Sequence, residues 1–459
     1  MRDESRRSGP YCVIGAGAAG LTAAKNLLRY GIDVDVIERE NDLGGNWNYG
    51  KASSSIYRSV HTITSKPFTQ YPDYPMPSHY PTFLGHKQAL EYLHSYARHF
   101  KVDEHIEFSR SVEWIERSDD PYLPWEVRLD GGERRRYAGV VIANGHLWKP
   151  RYPEYAGTFD GVSMHSSEYK TPDVLRDKRV LVIGAGNSGC DIAVESSQHA
   201  GHTIHSTRRG YFYWPKYLFG HPSDVVYELA LKTRAPLPIR RAFGKLFLKL
   251  NSAGTPEQYG LPRPAQRLYE EHFIINSTLL YHLGHGDIVA KPDVAELLGD
   301  RVRFTDGTEA QVDVIIYATG FHLAEFPFID RRHLNWRGDK PSLFLNAFHP
   351  VYDDLFLVGY FQTSTGNWPL MDYQAQIVSG FVHQARAGSE RADWFRNLKR
   401  DPLGVGATSG GISYYESERH ALEVEHYAYR RALKKLIRKL DACPPERRAA
   451  DLDAALAGG

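Results

Sequence analysis

Two glycine-rich stretches of the pattern G-x-G-x-x-G occur in this chain of 459 residues, at residues 15–20 and 184–189. Each follows a short apolar run of β type, Tyr11–Ile14 or Arg179–Ile183, and each opens a helical pattern. Glycine at these positions allows a tight turn, lets backbone N–H groups approach a pyrophosphate at a helix N-terminus, and lets helix and strand pack closely. One such motif is a weak signal, but two in strand-to-helix context predict two dinucleotide-binding domains.

The first motif is followed by a second predicted strand, residues 33–37, which ends at Glu38. This carboxylate stands about 20 residues beyond the glycines, where it accepts hydrogen bonds from ribose hydroxyls. Because a carboxylate repels a 2'-phosphate, the first site suits FAD or NAD and not NADP. We expect six residues to form this part of the site: Gly15, Gly17, Ala18, Ala19, Gly20 and Glu38.

The second motif is followed by a predicted strand over residues 202–205 and then by two hydroxyl residues and two arginines. Hydroxyl and guanidinium groups are suited to a ribose 2'-phosphate, because Arg donates planar bidentate hydrogen bonds and keeps its charge. The second motif therefore predicts an NADPH-binding site. Its expected residues are Gly184, Gly186, Asn187, Ser188, Gly189, Ser206, Thr207, Arg208 and Arg209.

The composition excludes several other functions. The formal net charge of +1 argues against a nucleic-acid partner. No long apolar run and no apolar stretch after the charged start is present, so we expect no signal peptide, no stable membrane anchor and a cytoplasmic location. The three cysteines, Cys12, Cys190 and Cys443, are far apart in the sequence, which excludes the closely spaced thiol pair of disulfide reductases. We expect no metal site, and a homodimer is the default expectation.

Residues 159–170, Phe-Asp-Gly-Val-Ser-Met-His-Ser-Ser-Glu-Tyr-Lys, resemble the identifying sequence of class B flavin-containing monooxygenases. In the related Baeyer-Villiger enzymes this motif usually ends in Trp-Pro, so Tyr169-Lys170 favours the branch that oxygenates nitrogen and sulfur. Other matching segments are residues 44–47, 57–60 with 65–66, 187–193 and 318–321, and the resemblance extends to about Gln376.

The resemblance implies a reaction performed mainly by the cofactors. NADPH reduces FAD, the reduced flavin captures O2 as a C4a-(hydro)peroxide, and one oxygen atom passes to an amine nitrogen or a sulfur of a small organic substrate. Three alternatives stay open: Baeyer-Villiger oxygenation of a ketone, an NADPH oxidase that releases H2O2, and a flavin-binding sensor with little turnover.

One departure from the family pattern concerns Ile63, which stands where an asparagine is usual near the oxygenated carbon of the flavin. An aliphatic side chain cannot form that hydrogen bond, although His61, Thr62 or Thr64 could supply a donor. A hydrogen bond worth about 1 to 3 kcal/mol would change the release of H2O2 by roughly ten- to a hundredfold. We therefore place the catalytic environment at Ile63 and Thr62. The resemblance also assigns to FAD the residues Gly45, Asn46, Trp47, Thr62, Thr64, Val112 and Gln362.

The predicted fold is α/β with two Rossmann-type dinucleotide-binding domains, the NADPH domain being inserted into the FAD domain. The expected ranges are 1–170 and 312–459 for the FAD domain and 171–311 for the NADPH domain. Near the C-terminus, apolar residues recur at helical spacing between basic ones. This pattern predicts a helix that docks its apolar stripe, with binding to a membrane surface as the alternative. The stripe consists of Leu433, Leu436, Ile437 and Leu440.

Overall fold

A computed structural model describes residues 9–232, 235–251, 254–323, 325–401, 408–417 and 420–441. The described strands are β1 (Tyr11–Ile14), β2 (Val34–Ile37), β3 (Ile106–Glu107), β4 (Val112–Arg117), β5 (Trp125–Leu129), β6 (Arg134–Tyr137), β7 (Gly139–Ile142), β8 (Ala156–Phe159), β9 (Val162–His165), β10 (Arg179–Ile183), β11 (His202–Ser206), β12 (Tyr213–Trp214), β13 (Tyr217–Leu218), β14 (His221–Pro222), β15 (Ile274–Ile275), β16 (Val289–Lys291), β17 (Val294–Gly299), β18 (Arg301–Phe304), β19 (Glu309–Gln311), β20 (Val314–Tyr317), β21 (Trp336–Arg337), β22 (Lys340–Pro341) and β23 (Leu355–Leu357). The described helices are α1 (Ala18–Leu28), α2 (Lys66–Thr69), α3 (His86–His99), α4 (Asn187–His199), α5 (Ser223–Lys232), α6 (Leu237–Asn251), α7 (Leu279–His285), α8 (Trp368–Arg386), α9 (Glu390–Arg400) and α10 (His426–Leu440).

The first sheet is parallel and has the strand order β23-β7-β1-β2-β3. Its central strand β1 is buried on both faces, as expected for a parallel sheet covered by helices. Helix α1 packs against α8, which lies more than 300 residues further along the chain. Because β23 and α8 follow the second domain in sequence, the chain leaves this domain after β7 and later returns to it. The two-domain α/β prediction with an inserted domain is confirmed.

The second sheet is also parallel and has the strand order β16-β11-β10-β20-β9. Strands β9 and β20 lie outside the expected range 171–311, yet both pair within this sheet, and β8 pairs with β17. The strands of the second domain thus extend from Ala156 to Tyr317. The apolar pattern of β9 and β20 predicts strands, but it does not contain the information about which sheet they join.

Each parallel sheet is accompanied by an antiparallel layer. Strands β4, β5 and β6 form a three-stranded sheet that the chain makes between β3 and β7. Strands β17, β18 and β19, with β8 added at the edge, occupy the equivalent place between β16 and β20. The two domains therefore share one plan of construction.

Helix α10 docks its apolar stripe on α8. Leu433, Leu436 and Leu440 are buried, whereas the basic residues Arg431 and Lys435 are exposed. The docked-helix interpretation therefore accounts for this segment. Among the described residues, no helix combines the length and the apolar character needed to cross a bilayer.

Both described cysteines are packing residues. Cys12 in β1 and Cys190 in α4 are fully buried, and the Cys190 thiol donates to the carbonyl of Ala185 at 3.6 Å. Burial raises the pKa of the Cys12 thiol far above its ordinary value, so the reactive thiolate is disfavoured. Cys443 lies outside the described residues.

Candidate functional site

Both glycine loops open onto a single cavity of about 1390 Å³. It lies beyond the carboxyl ends of β1 and β10, the place where open α/β sheets bind ligands. Ordinary small-molecule pockets measure roughly 300 to 1,000 Å³, so this cavity has room for more than one ligand of that size.

The glycines of the first loop have different structural roles. Gly15 has φ +100°, and a Cβ there would lie 2.9 Å from the carbonyl oxygen of Ala143. Gly17 is the N-cap of α1 and has no side chain to cover the first amides of the helix. Both line the cavity with Ala18 and Ala19. Gly20 does not, because it packs against the loop itself, where a Cβ would lie 1.8 Å from the oxygen of Gly15.

Glu38 is fixed at the end of β2 on the cavity wall. One carboxylate oxygen accepts the N–H of Ala16 at 2.7 Å, and the other accepts the N–H of Glu40 at 2.9 Å. The residue is buried but lines the cavity. These bonds orient the carboxylate while leaving acceptor capacity for ribose hydroxyls.

The segment Gly45-Asn46-Trp47 forms a short 3₁₀ turn on the same wall. Gly17 and Gly45 approach closely, and a Cβ at Gly17 would be 3.6 Å from the Cα of Gly45. Asn46 accepts the N–H of Ser55 on its side-chain oxygen at 2.7 Å. Trp47 makes an edge-to-face contact with Trp368, with ring centres 6.0 Å apart.

The environment of Ile63 is apolar. The Thr62 hydroxyl donates to the carbonyl of Thr64 at 2.8 Å and accepts the N–H of Leu84 at 3.0 Å, so its proton is used inside the protein. The Thr64 hydroxyl pairs with that of Thr69 at 2.9 Å. Ile63 is half-buried, lines the cavity, and packs on a group of buried side chains that we call the hydrophobic cluster. This cluster consists of Trp214, Leu218, Leu248, Leu268, Tyr269, Ile275 and Ile412.

A polar loop between β23 and α8 completes the first half of the cavity. Val112 and Gln362 line it as expected, and Gln362 is anchored by backbone bonds to Leu422 and Val424. Three further lining residues carry buried side-chain oxygens that have no hydrogen-bond partner among the described residues. Such oxygens fit the polar edge of a flavin ring. In the sequence, only the polar composition of the loop indicates these residues. They are Thr363, Thr365 and Asn367.

The second loop repeats the arrangement of the first. Gly184 has φ +118°, and a Cβ there would lie 2.3 Å from the oxygen of Ala318. Gly186 caps α4 and has open space around it, whereas a Cβ at Gly189 would lie 2.0 Å from the oxygen of Gly184. Gly184 and Gly186 line the cavity with Asn187 and Ser188, and Gly189 does not.

The two arginines after β11 have different surroundings. Arg208 is exposed and lines the cavity. Arg209 also lines the cavity, but it pairs with Glu271 at 3.1 Å, and its guanidinium carbon lies 5.0 and 4.5 Å from the ring centres of Tyr211 and Tyr415.

The two hydroxyl residues before these arginines are buried outside the cavity lining. Ser206 donates to the carbonyl of Pro292 at 2.6 Å. The Thr207 hydroxyl has no hydrogen-bond partner among the described residues. Neither side chain therefore reaches the cavity in this structure.

Two buried histidines beside the loops are held neutral. His205 donates from Nε2 to the carbonyl of Gly184 at 3.0 Å, and burial lowers its pKa to about 4. His165, from the identifying motif, donates from Nε2 to the carbonyl of Gly320 at 2.9 Å and accepts the N–H of Ser167 on Nδ1. Burial lowers its pKa as well. These bonds fix the loops, which is a structural role.

Asp191 is an ionisable residue of the cavity that the sequence did not single out. It accepts a hydrogen bond from the Tyr57 hydroxyl at 3.1 Å and another from the amide of Asn276 at 2.8 Å. Burial raises the pKa of this carboxyl, against the lowering effect of Lys216 and these hydrogen bonds. Since Tyr57 belongs to the first domain and Asp191 to α4, the bond joins the two halves of the cavity.

The residues present fit two dinucleotides. The first loop, with Glu38, suits a ribose that carries free hydroxyls, and the unpartnered oxygens beyond Gln362 suit a flavin ring. The second loop, with Arg208, suits a ribose that carries a phosphate. Fold and site together define a flavoprotein that binds two dinucleotides in one cavity.

Comparison with known proteins gives the family. The family model described as flavin-binding monooxygenase-like matches residues 10–386, and the chain belongs to this family. Flavin-containing monooxygenase 5 of Rattus norvegicus is 33% identical over 433 residues, which cover 90% of this chain and 80% of the relative. Flavin-containing monooxygenase 1 of Homo sapiens is 32% identical over 385 residues, covering 79% and 72%.

Solved structures share the fold. S-allyl-L-cysteine S-oxygenase of Allium sativum has a TM-score of 0.65 at 20% identity, covering 94% of this chain and 88% of that one. Cyclohexanone monooxygenase of Rhodococcus sp. Phi1, bound to NADP+, has a TM-score of 0.67 at 18% identity, covering 94% and 97%. The protein is thus a flavin-containing monooxygenase whose cofactors are FAD and NADPH.

Proposed function

We propose that this monooxygenase oxygenates the nitrogen of an amine or the sulfur of a sulfide in a small organic substrate. The observation that carries the proposal is the end of the motif at residues 159–170, where Tyr169-Lys170 replaces the Trp-Pro of Baeyer-Villiger enzymes. Lys170 donates to the carbonyls of Ser54 and Ile56 at 2.7 and 3.2 Å and so fixes the chain that leads to Ile63. The relatives at about 30% identity are flavin-containing monooxygenases, which supports the same branch.

We further propose a division of the cavity between the cofactors. When bound, NADPH supplies a hydride to FAD, and reduced FAD activates O2. The protein binds and orients both and excludes water from the apolar surroundings of Ile63. The FAD residues would be Gly15, Gly17, Ala18, Ala19, Glu38, Gly45, Asn46, Trp47, Thr62, Ile63, Thr64, Val112 and Gln362, and the NADPH residues Gly184, Gly186, Asn187, Ser188 and Arg208. Arg209, which also lines the cavity, would assist Arg208, and Gly20, Gly189, Ser206 and Thr207 would support the site from behind.

The test compares an amine, a sulfide and a ketone built on one carbon skeleton. NADPH consumption, H2O2 and the incorporation of ¹⁸O from ¹⁸O2 into product are measured for each. The proposal expects label in the N-oxide and the sulfoxide. Label only in the ester made from the ketone would assign Baeyer-Villiger oxygenation instead.

A second candidate, an NADPH oxidase that releases H2O2, is favoured by one observation. Ile63 offers no hydrogen bond to the cavity, and the proton of the Thr62 hydroxyl is used by Thr64.

The substitution Ile63→Asn tests the oxidase candidate, with Ile63→Val as the apolar control. If the enzyme is an oxidase because of Ile63, we expect Ile63→Asn to lower the H2O2 formed per NADPH roughly tenfold, and Ile63→Val to leave it unchanged. A low H2O2 yield in the wild type with substrate present would discard this candidate.

A further inference from the structure

Three short non-helical segments of the chain meet at one wall of the cavity. In each segment, two successive side chains face different surroundings. Tyr211, His272 and Tyr415 line the cavity. Their neighbours in sequence, Phe212, Phe273 and Tyr414, pack on the hydrophobic cluster that also contacts Ile63. His272 thus lies on the cavity side of the wall that supports Ile63.

The ring of His272 is oriented by a buried carboxylate. Its Nδ1 lies 3.2 and 3.3 Å from the two side-chain oxygens of Glu423, whose side chain is 0% exposed. The oxygens of a carboxylate accept hydrogen bonds, so Nδ1 is the donor in this contact. Nε2 is then the ring nitrogen that is available to a ligand in the cavity. It carries either a free electron pair or a second proton. This is the arrangement in which a carboxylate positions a histidine base.

Neighbouring groups keep this pair in place. The backbone N–H of His272 donates to Nε2 of His420 at 3.1 Å, so Nε2 of His420 has no proton, and its Nδ1 can donate to the hydroxyl of Ser417 at 2.8 Å. Glu423 stands between two backbone bonds to Gln362, made by Leu422 and Val424 at 2.9 and 2.8 Å. The pair therefore joins the inserted domain to the segment that we assign to the flavin. The charged and titratable groups around His272 are Glu423, His420, Tyr414 and Tyr415 from the C-terminal segment and the Glu271–Arg209 ion pair beside it.

We propose that His272 accepts the proton of an amine substrate that enters the cavity as an ammonium ion, and that Glu423 is its positioning residue. The inference rests on the proposed oxygenation of nitrogen. Only an unprotonated amine has an electron pair to offer to oxygen, whereas aliphatic amines are largely protonated at neutral pH. The N–H bond of the ammonium breaks, its electron pair stays on the substrate nitrogen, and the proton passes to Nε2 of His272. The Glu423 carboxylate keeps its hydrogen bond to Nδ1 and stabilises the imidazolium. A sulfide has no such proton and does not need this step.

The experiment uses the FAD-loaded enzyme with N,N-dimethylbenzylamine and benzyl methyl sulfide, which share a skeleton. In the wild type, kcat/KM for the amine should stay within about twofold from about pH 7 to about pH 8.5. In His272→Gln only the neutral fraction of the amine reacts, so kcat/KM should fall roughly tenfold for each pH unit below the pKa of the amine. For the sulfide, both proteins should give the same profile. Glu423→Gln should lower the amine rate at neutral pH and spare the sulfide.

His282→Gln is the matched control. His282 also pairs with a carboxylate, that of Asp287 at 2.9 Å, and it does not line the cavity. Its profiles should equal those of the wild type. Melting temperature and FAD content of every variant identify a failure to fold.

A second measurement does not depend on turnover. The amine is titrated calorimetrically into the oxidised protein loaded with FAD and NADP+, once in phosphate and once in Tris buffer. The wild type should show the same heat in both, because the proton stays on His272. His272→Gln should release about one proton to the buffer, so that the two heats differ.

The outcomes separate the two proposals. Equal amine profiles and equal heats for the wild type and His272→Gln, with the sulfide oxidised by both, would overturn the role of His272 and leave the proposed oxygenation standing. If the wild type oxygenates neither probe, the proposed function fails for this class of substrate, and the inference fails with it.

Discussion

Two neighbouring arginines at the end of β11 illustrate how the surroundings of a residue decide its role. Both line the cavity, but Arg209 is paired with Glu271 and packed against two tyrosine rings, whereas Arg208 is exposed. A guanidinium that already has a buried carboxylate partner contributes less to binding a phosphate. The sequence predicts both arginines as phosphate ligands, and the structure favours Arg208.

The substitution Arg208→Ala should therefore raise KM for NADPH by roughly ten- to a hundredfold, the equivalent of about 1.5 to 3 kcal/mol for charge-assisted hydrogen bonds. KM for NADH should change less than about twofold, because NADH has no 2'-phosphate. Steady-state kinetics with both nucleotides measures this effect. Arg209→Ala is the matched control, and a larger loss of NADPH selectivity in Arg209→Ala than in Arg208→Ala would reverse the assignment.

At the scale of the element, the turn between β10 and α4 contains glycines of two kinds. A Cβ at Gly189 would collide with the backbone of Gly184, whereas Gly186 has open space around it. We expect Gly189→Ala to lower the melting temperature by several degrees, because the helix must move away from the strand. Gly186→Ala should leave the melting temperature unchanged but weaken NADPH binding, since the ligand would approach that backbone. Calorimetry of both variants distinguishes these effects, and equal melting temperatures would contradict the division of roles.

Helices α1 and α8 are joined by a buried ion pair. Lys25 donates to Asp372 at 2.6 Å and to Asp73 at 2.8 Å, and Lys25 and Asp372 are 1% and 0% exposed. Burial alone would raise the pKa of Asp372, but the charge of Lys25 and hydrogen bonds from Lys25, Thr22 and Asn26 hold it below its usual value. Removing one partner leaves the other charge buried without compensation.

We expect Lys25→Met to lower the free energy of unfolding by about 3 to 5 kcal/mol in urea titrations. Lys149→Met, at the exposed pair Lys149–Glu325, should cost less than about 1 kcal/mol. A loss at Lys25 no greater than that at Lys149 would show that the buried pair does not stabilise the fold.

This pair also has a definite pH dependence. A carboxyl whose pKa is lower in the folded protein stabilises it above the ordinary value of about 3.9, and this contribution disappears as the pH falls through the folded value. The free energy of unfolding of the wild-type protein should therefore continue to fall as the pH drops below about 4. In Asp372→Asn, the part of this fall that comes from Asp372 should be absent. Urea midpoints followed by circular dichroism as a function of pH measure it.

The sequence predicts the glycine loops, Glu38 and the strand-helix order because these features depend on residues close together in the chain. It does not predict contacts that bring distant residues together. Lys25 has the pattern of an ordinary helix lysine, and Glu423 and His272 carry no local pattern, yet the tertiary fold gives each of them a partner that is distant in sequence. The allocation of β9 and β20 to the second sheet has the same cause, since strand pairing is a tertiary choice.

At the scale of the whole molecule, the cavity depends on contacts between the domains. The Tyr57 hydroxyl reaches Asp191 across the two halves, whereas the Tyr169 hydroxyl bonds Glu195 of the same helix α4. We expect Tyr57→Phe to increase the H2O2 released per NADPH several-fold, because one hydrogen bond of about 1 kcal/mol no longer holds the halves together against water. Tyr169→Phe should lower the melting temperature by a similar amount to Tyr57→Phe, but it should not increase the release of H2O2. Peroxide yield and melting temperature, measured together, separate closure of the cavity from stability.

The shared plan of the two sheets has an evolutionary consequence. The orders β23-β7-β1-β2-β3 and β9-β20-β10-β11-β16 correspond strand by strand, with a glycine loop and a helix after the central strand in each. This symmetry is the one that duplication of a nucleotide-binding unit, with one copy inserted into the other, would produce. The two copies differ just after one strand: Glu38 follows β2 directly in the first, and Arg208 stands one residue further along after β11 in the second. With the roles proposed above for Glu38 and Arg208, a difference of a few residues lets two similar halves hold different cofactors, one that donates electrons and one that accepts them.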